Sequence, residues 1–569
     1  MMLYKGLYRR RKFWFSLAGL TGLILILWIW FLISIHVSPP EIADRSADTL
    51  SVCMLSPSVS RCGPSWLREN YPGFWTMYIR GKAYERGVMT GKLSKSLIFK
   101  QEKAFIDQIR RMIPSDFYLH FLKYFIYWFN RDLDKNISEE YKQEIYGISL
   151  SASSEFDFIG NNYQRMLNYH SAHDIGHALQ EMNLVACTSF GVWGKSSAES
   201  ELIIGRNFDF YAGDEFAENK IICFEEPDRG NAFMMVTWGG MIGSVSGMNE
   251  KGLTVTINAA RSDVPFSART PISLLAREIL QYASDISEAY TIAQKRKTFI
   301  SESLLIGSAR DGKAAIIEKT PYKIALVEPQ GSYILCANHF QSPEFTGDPL
   351  NKANIRDNAS FYRFLRLQQE LSHQTPVSIT GAASILRDRA GLDGKNIGMG
   401  NEKALNQLIA HHSIIFEPAR LLVWISTNPW QLGSYKCFDL NKIFHNFAVF
   451  NQGVEIEDKA KEIPPDIFLK SPEYLAFSEY KSMRRMLQQN IKNNRLLPDE
   501  RSFIPAFIQT NPEFYESYFL VGEYFLRMNK PALARTYFYR ALRCEVPRWQ
   551  EKQKMIRRIA ECNVELKKK

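Results

Sequence analysis

Two short runs decide how this chain is read. They are Val185-Ala186-Cys187-Thr188-Ser189-Phe190 and Leu202-Ile203-Ile204-Gly205-Arg206-Asn207-Phe208-Asp209-Phe210, with a turn at 196–201 between them. Residues 184–190 and 202–205 read as short apolar strands. A cysteine inside such a strand is by default a small buried hydrophobe. The second run changes that default, because a hairpin closing at 196–201 returns Arg206 and Asp209 beside Cys187. A guanidinium next to a thiol lowers its pKa and increases the thiolate fraction. A carboxylate at the same place can hold an ammonium group by a charge-assisted hydrogen bond.

Working outward, 232–238, 252–259, 314–317 and 333–337 read as further short strands, separated by turns such as Gly239-Gly240 and Met248-Asn249-Glu250-Lys251-Gly252. Helical patterns follow at 272–283, 286–295 and 360–371. Strands in runs with helices placed between the runs predict an α+β chain rather than alternating βαβ units. Upstream, from Trp66 to about Met182, the pattern is mainly helical. Within it 117–130 is apolar nearly all round and predicts a buried helix, too short and interrupted for a membrane span. The tail after Pro472 is helical, and Tyr518, Val521, Gly522, Phe525, Ala534, Phe538 and Ala541 fall at the large and small positions of a tetratricopeptide unit. An isolated unit cannot bury its own face, so it is expected to pack on the catalytic part or on a partner helix. A plain helical hairpin is the alternative.

The motifs around the hairpin are similar to those of N-terminal nucleophile hydrolases of the choloylglycine hydrolase and penicillin acyltransferase type. In that family a Cys opens the first strand and an Arg-x-x-Asp pair returns on the second, as Arg206-Asn207-Phe208-Asp209 does here. Ser246-Gly247-Met248-Asn249-Glu250-Lys251-Gly252-Leu253 resembles the family's Asn-Glu-Lys-Gly-Leu turn, and Asn258 stands at its oxyanion-hole position. Ala337-Asn338-His339-Phe340 matches a strand-end Asn, and Ser360-Phe361-Tyr362-Arg363 matches a Ser-x-x-Arg helix start. The resemblance implies a four-layer αββα sandwich and self-cleavage between Ala186 and Cys187. The freed α-amine, with a pKa near 7.7–8.0, then serves as general base near neutral pH. It assigns Cys187 as nucleophile, Asp209 to orient the amine, Arg206 to the thiolate, Asn258 to the oxyanion, and Asn338 and Arg363 to tie the site together. Here 186 residues precede the Cys. That is closer to the penicillin acyltransferase pattern than to the short leaders of choloylglycine hydrolases, and it leaves the acyl donor open.

The flanks carry the remaining signals. Residues 13–35 hold no charge and are long enough to cross a hydrocarbon core of about 30 Å. Lys5, Arg9, Arg10, Arg11 and Lys12 precede them, and Glu41, Asp44 and Asp48 follow. A retained signal anchor with its N-terminus in the cytoplasm is therefore expected, a cleaved signal peptide being the rival reading. Cys53 and Cys62 would then lie in an oxidising space, paired or unpaired. From Lys470 onward 20 basic residues face 11 acidic ones, so the net charge of +10 sits at the two ends. A nucleic-acid enzyme would carry its excess through the central body. His170, His173 and His177 lack the Glu of the zinc-protease motif, so no metal is expected, and no nucleotide fingerprint points to a cofactor.

With 569 residues the chain has room for three or four units. The expected division is a basic tail (1–12), the anchor (13–37), a mostly helical pro-segment (38–186), the catalytic domain (187–465) and the tetratricopeptide-like tail (470–569). The expected activity is an extracytoplasmic, autoprocessed cysteine amidohydrolase or acyltransferase taking a small-molecule or lipid acyl substrate. The alternatives are a lipid acyltransferase, a phospholipase-B-like or ceramidase-like hydrolase, and a catalytically idle tethered protein that works through its helical tail.

Overall fold

The computed structural model describes residues 2–112, 115–171, 185–210, 214–261, 268–445 and 455–568. The chain is α+β. Its larger sheet has 11 strands in the order β1 (Val52–Ser56), β2 (Val59–Cys62), β3 (Ser65–Tyr71), β4 (Phe74–Gly81), β7 (Lys220–Pro227), β8 (Phe233–Thr237), β9 (Ser246–Asn249), β10 (Leu253–Ala259), β11 (Glu302–Ser308), β12 (Lys313–Lys319) and β13 (Ile324–Val327). The smaller has 6, in the order β14 (Tyr333–Cys336), β5 (Val185–Val192), β6 (Ile203–Phe210), β15 (His412–Glu417), β16 (Leu422–Ser426) and β17 (Tyr435–Asp439). Neighbouring strands are antiparallel except β4 and β7, which run parallel from Phe74 opposite Lys220 to Gly81 opposite Pro227.

The period of two along each strand sets the layers. Ile204, Ile334, Ile414 and Val423 of the smaller sheet pack with Ile222, Met248, Leu305 and Ile316 of the larger one. Their chain neighbours Ile203 and Ile415 turn outward, onto Leu367, Leu371 and Ile385 of the helices Ser360–Gln374 and Ile379–Leu386. On the far side of the larger sheet, Val255, Ile306 and Ile317 meet Leu275 and Ile279 of the helix Ile272–Tyr282 and Ala289 and Ala293 of the helix Ile286–Lys295. The order is helix, sheet, sheet, helix.

Two sequence expectations are corrected here. The helical reading holds from Ala83, in the helices Ala83–Leu93, Lys95–Met112, Asp116–Phe129, Glu139–Ser149 and Asn162–His170, but begins too early: Trp66 lies within β3, and β1 to β4 extend the larger sheet. The missed signal is Tyr71-Pro72-Gly73-Phe74: Pro pre-sets a turn, and Gly73 takes φ +73° with the Glu218 carbonyl so close that a Cβ would sit 2.0 Å from it. The expected buried helix forms as Asp116–Phe129, N-capped by Ser115, but protein does not enclose it. Phe121 is 67% exposed and Phe125 53%. Its Tyr124 and Trp128 pack instead on Trp28, Trp30 and Phe31 of the long N-terminal helix Met2–Ser34. That helix includes Phe13–Ser34, 22 residues of mean hydropathy 2.3 with none of the apolar window buried.

The helices Pro472–Lys492, Glu500–Thr510, Tyr515–Arg527, Pro531–Arg543 and Trp549–Lys568 share a separate core. Val521, Phe525, Ala534, Phe538 and Ala541 lie in it, and Gly522 lets the Phe538 ring approach to within 2.6 Å of where a Cβ would stand. Leu408 and Leu432 join this core from the sheet region, so the helical unit is packed on the rest of the chain. Cys53 and Cys62 are not bonded to each other.

Candidate active site

The hairpin expected from the two opening runs forms as β5 and β6, with Cys187 opposite Phe208, Ala186 opposite Asp209 and Ser189 opposite Arg206. Strand alternation then sorts the side chains. Cys187, Ser189, Arg206 and Phe208 share the face toward the larger sheet. Ala186, Thr188, Asn207 and Asp209 share the face toward the outer helices. The backbone nitrogen of Cys187 lies between the two sets.

On the inner face Arg206 Nη2 donates to Cys187 Sγ at 3.6 Å. The guanidinium is fully buried and anchored by the main-chain carbonyls of Val245, at 2.8 Å, and Ile257, and by Ser246 Oγ. It also lies over the Phe208 ring, 4.4 Å from its centroid. Arg206 favours the thiolate, but burial is the larger effect and pushes the Cys187 thiol up to about 11. Near neutral pH the thiol is therefore held protonated, against the expectation drawn from the Arg alone.

On the outer face Asp209 is equally buried. Its Oδ2 accepts from Gln407 Nε2 at 3.3 Å, and its Oδ1 has no hydrogen-bond partner among the described residues. Burial raises its pKa to about 7, with Arg363 and Arg206 opposing. Between the faces, the Cys187 N–H donates to Asn338 Oδ1 at 2.8 Å. The same oxygen accepts from Arg363 Nη2, whose Nε also donates to Thr188 Oγ1 at 3.3 Å. Asn338 is held at the end of β14 by Ser360 Oγ, 2.8 Å from its backbone nitrogen, and by its own Nδ2 donating to the Ala259 carbonyl at 2.9 Å. The strand-end Asn and the Ser-x-x-Arg helix start thus meet each other and the cysteine.

β10 is the scaffold for this set. The Ile257 carbonyl receives Arg206, the Ala259 carbonyl receives Asn338, and Asn258 between them accepts from Ser189 Oγ at 3.0 Å and donates to the Cys336 carbonyl at 3.2 Å. Asn258 therefore ties the two sheets together, with one of its amide hydrogens engaged. All six residues singled out in the sequence, Cys187, Arg206, Asp209, Asn258, Asn338 and Arg363, fall into one buried cluster.

Sequence reading missed a second layer. Ser246 Oγ, which receives Arg206, also bonds His412 Nε2 at 2.8 Å, and His412 Nδ1 lies 2.9 Å from His411 Nδ1. Burial holds both imidazoles neutral, well below their usual pKa. The adjacent His411-His412 pair at the start of an apolar strand was the available signal. Gln407 had none, lying in an irregular loop far along the chain from Asp209. A small aromatic pocket opens beyond β6, lined by Phe105, Met166, Phe210, Phe216 and Trp238. Gly239 at its rim answers to helix packing, since a Cβ there would lie 2.5 Å from the Leu97 backbone. His170 is a satisfied core histidine, bonding the Met166 carbonyl at 2.8 Å and the Ile242 N–H at 3.0 Å. His173 and His177 lie outside the described residues, and among the described residues no His, Cys, Asp and Glu cluster suits a metal.

Residues 196–427 match the family of acyl-coenzyme A:6-aminopenicillanic acid acyl-transferase. The match begins after Cys187. A protein of Archaeoglobus fulgidus described as uncharacterized is 23% identical over 311 residues, 48% of this chain and 51% of its own length. Protein dcd1B of Dictyostelium discoideum is 22% identical over 256 residues, 42% of this chain and 49% of its own. The chain thus spans about half the length of these curated relatives. Among solved structures, an ortholog of N-acylethanolamine-hydrolyzing acid amidase from Caenorhabditis elegans matches with a TM-score of 0.30 and 14% identity, over 41% of this chain and 93% of that one. A variant of conjugated bile acid hydrolase from Clostridium perfringens matches with a TM-score of 0.30 and 14% identity, over 45% and 93%. The family match agrees with the penicillin acyltransferase type that the motifs of this sequence resemble.

Proposed function

We propose that this chain, resembling the acyltransferases and amide hydrolases just described, is a membrane-anchored cysteine acyl hydrolase or acyltransferase that activates itself by cutting between Ala186 and Cys187. The observation that carries the reading is the environment of one peptide nitrogen. Cys187 N is held by Asn338, its sulfur touches Arg206, and the residue before it faces a buried carboxylate oxygen that has no partner among the described residues. An unpaired buried acceptor is costly, by about 1–3 kcal/mol or more for a charged group. An ammonium group released at Cys187 would supply the missing donor.

The chemistry balances as follows. The Cys187 thiol adds to the Ala186 carbonyl, and the C–N bond breaks to give a thioester and a free α-amine. Water then hydrolyses the thioester, leaving a carboxylate on Ala186 and a thiol on Cys187. In turnover the amine takes the thiol proton, sulfur adds to the substrate acyl carbonyl, and the proton passes to the leaving amine or alcohol. Water or an acceptor resolves the acyl-enzyme. The second side-chain N–H of Asn258 and a backbone N–H are the oxyanion donors in this scheme, each worth about 2.7–4 kcal/mol of transition-state stabilisation. The aromatic pocket lined by Phe210 and Trp238, on the Cys187 face of β6, suits an apolar acyl chain.

Anchoring is supported by the apolar stretch Phe13–Ser34 and by the exposed aromatic face of Asp116–Phe129 that continues from it. The basic residues ahead of the stretch favour a cytoplasmic N-terminus, with the sheets on the other side. The test is N-terminal sequencing of the purified protein. Two fragments are expected, the second beginning at Cys187, whereas Cys187→Ala should remain one chain and lack activity on a panel of N-acyl amides and lipid esters. A wild-type chain that stays whole, or an active Cys187→Ala, would overturn the reading.

A further inference from the structure

The loop 387–411 joins the helix Ile379–Leu386 to β15 with almost no regular structure, yet it is buried between two bodies. Its inner side touches the candidate site three times. The Glu402 carbonyl accepts from Arg363 Nη1 at 2.9 Å, Gln407 donates to Asp209, and the Leu405 carbonyl accepts from Asn207 Nδ2 at 3.0 Å. Its outer side is gripped by the C-terminal helices. The Glu402 carboxylate takes both prongs of Arg548, with Nε at 2.6 Å. Glu545 takes Lys403 at 2.7 Å and Lys395 at 2.9 Å, and its carbonyl receives Asn401 Nδ2 at 2.9 Å. Asn511 pairs with both backbone groups of Met399, at 2.9 and 3.0 Å.

One residue therefore faces both ways. The Glu402 side chain belongs to the helical unit, and its carbonyl belongs to Arg363, which reaches Asn338 and through it the Cys187 nitrogen. A two-pronged Arg–carboxylate pair fixes orientation as well as distance. The two charges are only partly exposed, at 15% for Arg548 and 31% for Glu402, so water screens them less than a surface pair.

We infer that the C-terminal helical unit is a clamp on the active-site loop, with Arg548 acting through Glu402 as a positioning residue for Arg363 and Asn338. The kinetic part of this inference rests on the proposed role of Cys187; the geometric part does not. A displacement of about 1 Å at a positioning group can cost on the order of a hundredfold in rate. Arg548→Ala in the full-length protein should lower kcat at least tenfold on a fluorogenic acyl amide of aminocoumarin, with KM little changed. Arg548→Lys, which keeps charge but loses the fork, should fall between. The exchange pair Glu402→Arg with Arg548→Glu should recover part of the loss.

The control is Arg558→Ala. Its pair with Glu523, at 2.7 and 3.0 Å, has the same chemistry inside the helical unit and no contact with the loop. It should leave kcat unchanged. Amide hydrogen exchange supplies a readout that needs no substrate. In Arg548→Ala, a peptide spanning 396–408 should exchange at least tenfold faster while one spanning 519–526 in the helical core stays protected. Unchanged exchange in 396–408 overturns the clamp whatever the catalytic outcome. Equal kcat losses in Arg548→Ala and Arg558→Ala would also overturn it, marking a general destabilisation.

Discussion

Replacing Asp209 by Asn should stabilise the uncut protein and disable the cut one, and the size of the first effect follows from burial. The Asp209 carboxyl titrates near 7 in the folded chain against an ordinary value of 3.8. A folded-state value above the unfolded one means that the native state holds the proton more tightly. Stability is then full below the unfolded value and falls as pH rises toward 7, by roughly 1.4 kcal/mol per pH unit. Across about three units this is roughly 4 kcal/mol, all of it lost once pH passes the folded value. Asn carries no proton to lose, so it removes this dependence and can still accept from Gln407. The assay is thermal unfolding of Cys187→Ala, which stays uncut, against Cys187→Ala with Asp209→Asn, in detergent from pH 4 to 8. The two should coincide near pH 4 and diverge above it, with the Asn variant higher by up to roughly 8 °C at pH 8, taking about 2 °C per kcal/mol. In the wild-type background the same substitution should abolish turnover, because the released amine loses its counter-charge. A gap independent of pH, or an Asn variant less stable than its parent at pH 8, would refute the argument that Asp209 is a buried carboxyl waiting for a cation.

Arg206→Met should destabilise the fold by about 3 kcal/mol, since it removes the buried donor to the Val245 and Ile257 carbonyls and to Ser246 Oγ, and chemical unfolding would measure it. After cleavage the two fragments should stay together on a sizing column, because β4 precedes the cut and pairs with β7, which follows it. Buried Arg86 meanwhile pairs with Glu225 across the same divide at 2.8 Å, and with Glu144 of its own fragment at 2.8 Å. Arg86→Met should shift fragment dissociation to lower urea, breaking a buried pair being worth about 3–5 kcal/mol. Asn338→Leu should cut kcat by at least a hundredfold, as it removes the acceptor shared by Cys187 N and Arg363; acyl-amide turnover checks it.

The parts of the site that could be read in advance are those carried by local periodicity. Cys187, Arg206 and Asp209 lie on one hairpin, and the alternation that puts Ile203 and Ile204 on opposite layers also tells which side each catalytic candidate faces. Asn258, Asn338 and Arg363 were placed by resemblance, and what joins them, the carbonyls of β10, carries no sequence signature at all. Glu402, Gln407 and Arg548 were invisible for a further reason. Each acts across a long chain separation from an irregular loop or a helix end, where no period announces a contact.

The amino-acid order by itself determined the hairpin, the α+β grouping of its strands and helices, the uncharged stretch at 13–35 and the helical tail, because each follows from side-chain spacing along a few consecutive residues. Tertiary structure alone decided that β1 to β4 enlarge the sheet, that Asp116–Phe129 leaves its aromatic face uncovered, and that the helical tail grips the loop beside Arg363. An apolar helix announces only that it shuns water, not what it lies against. A charge likewise announces no partner until the fold brings one within reach.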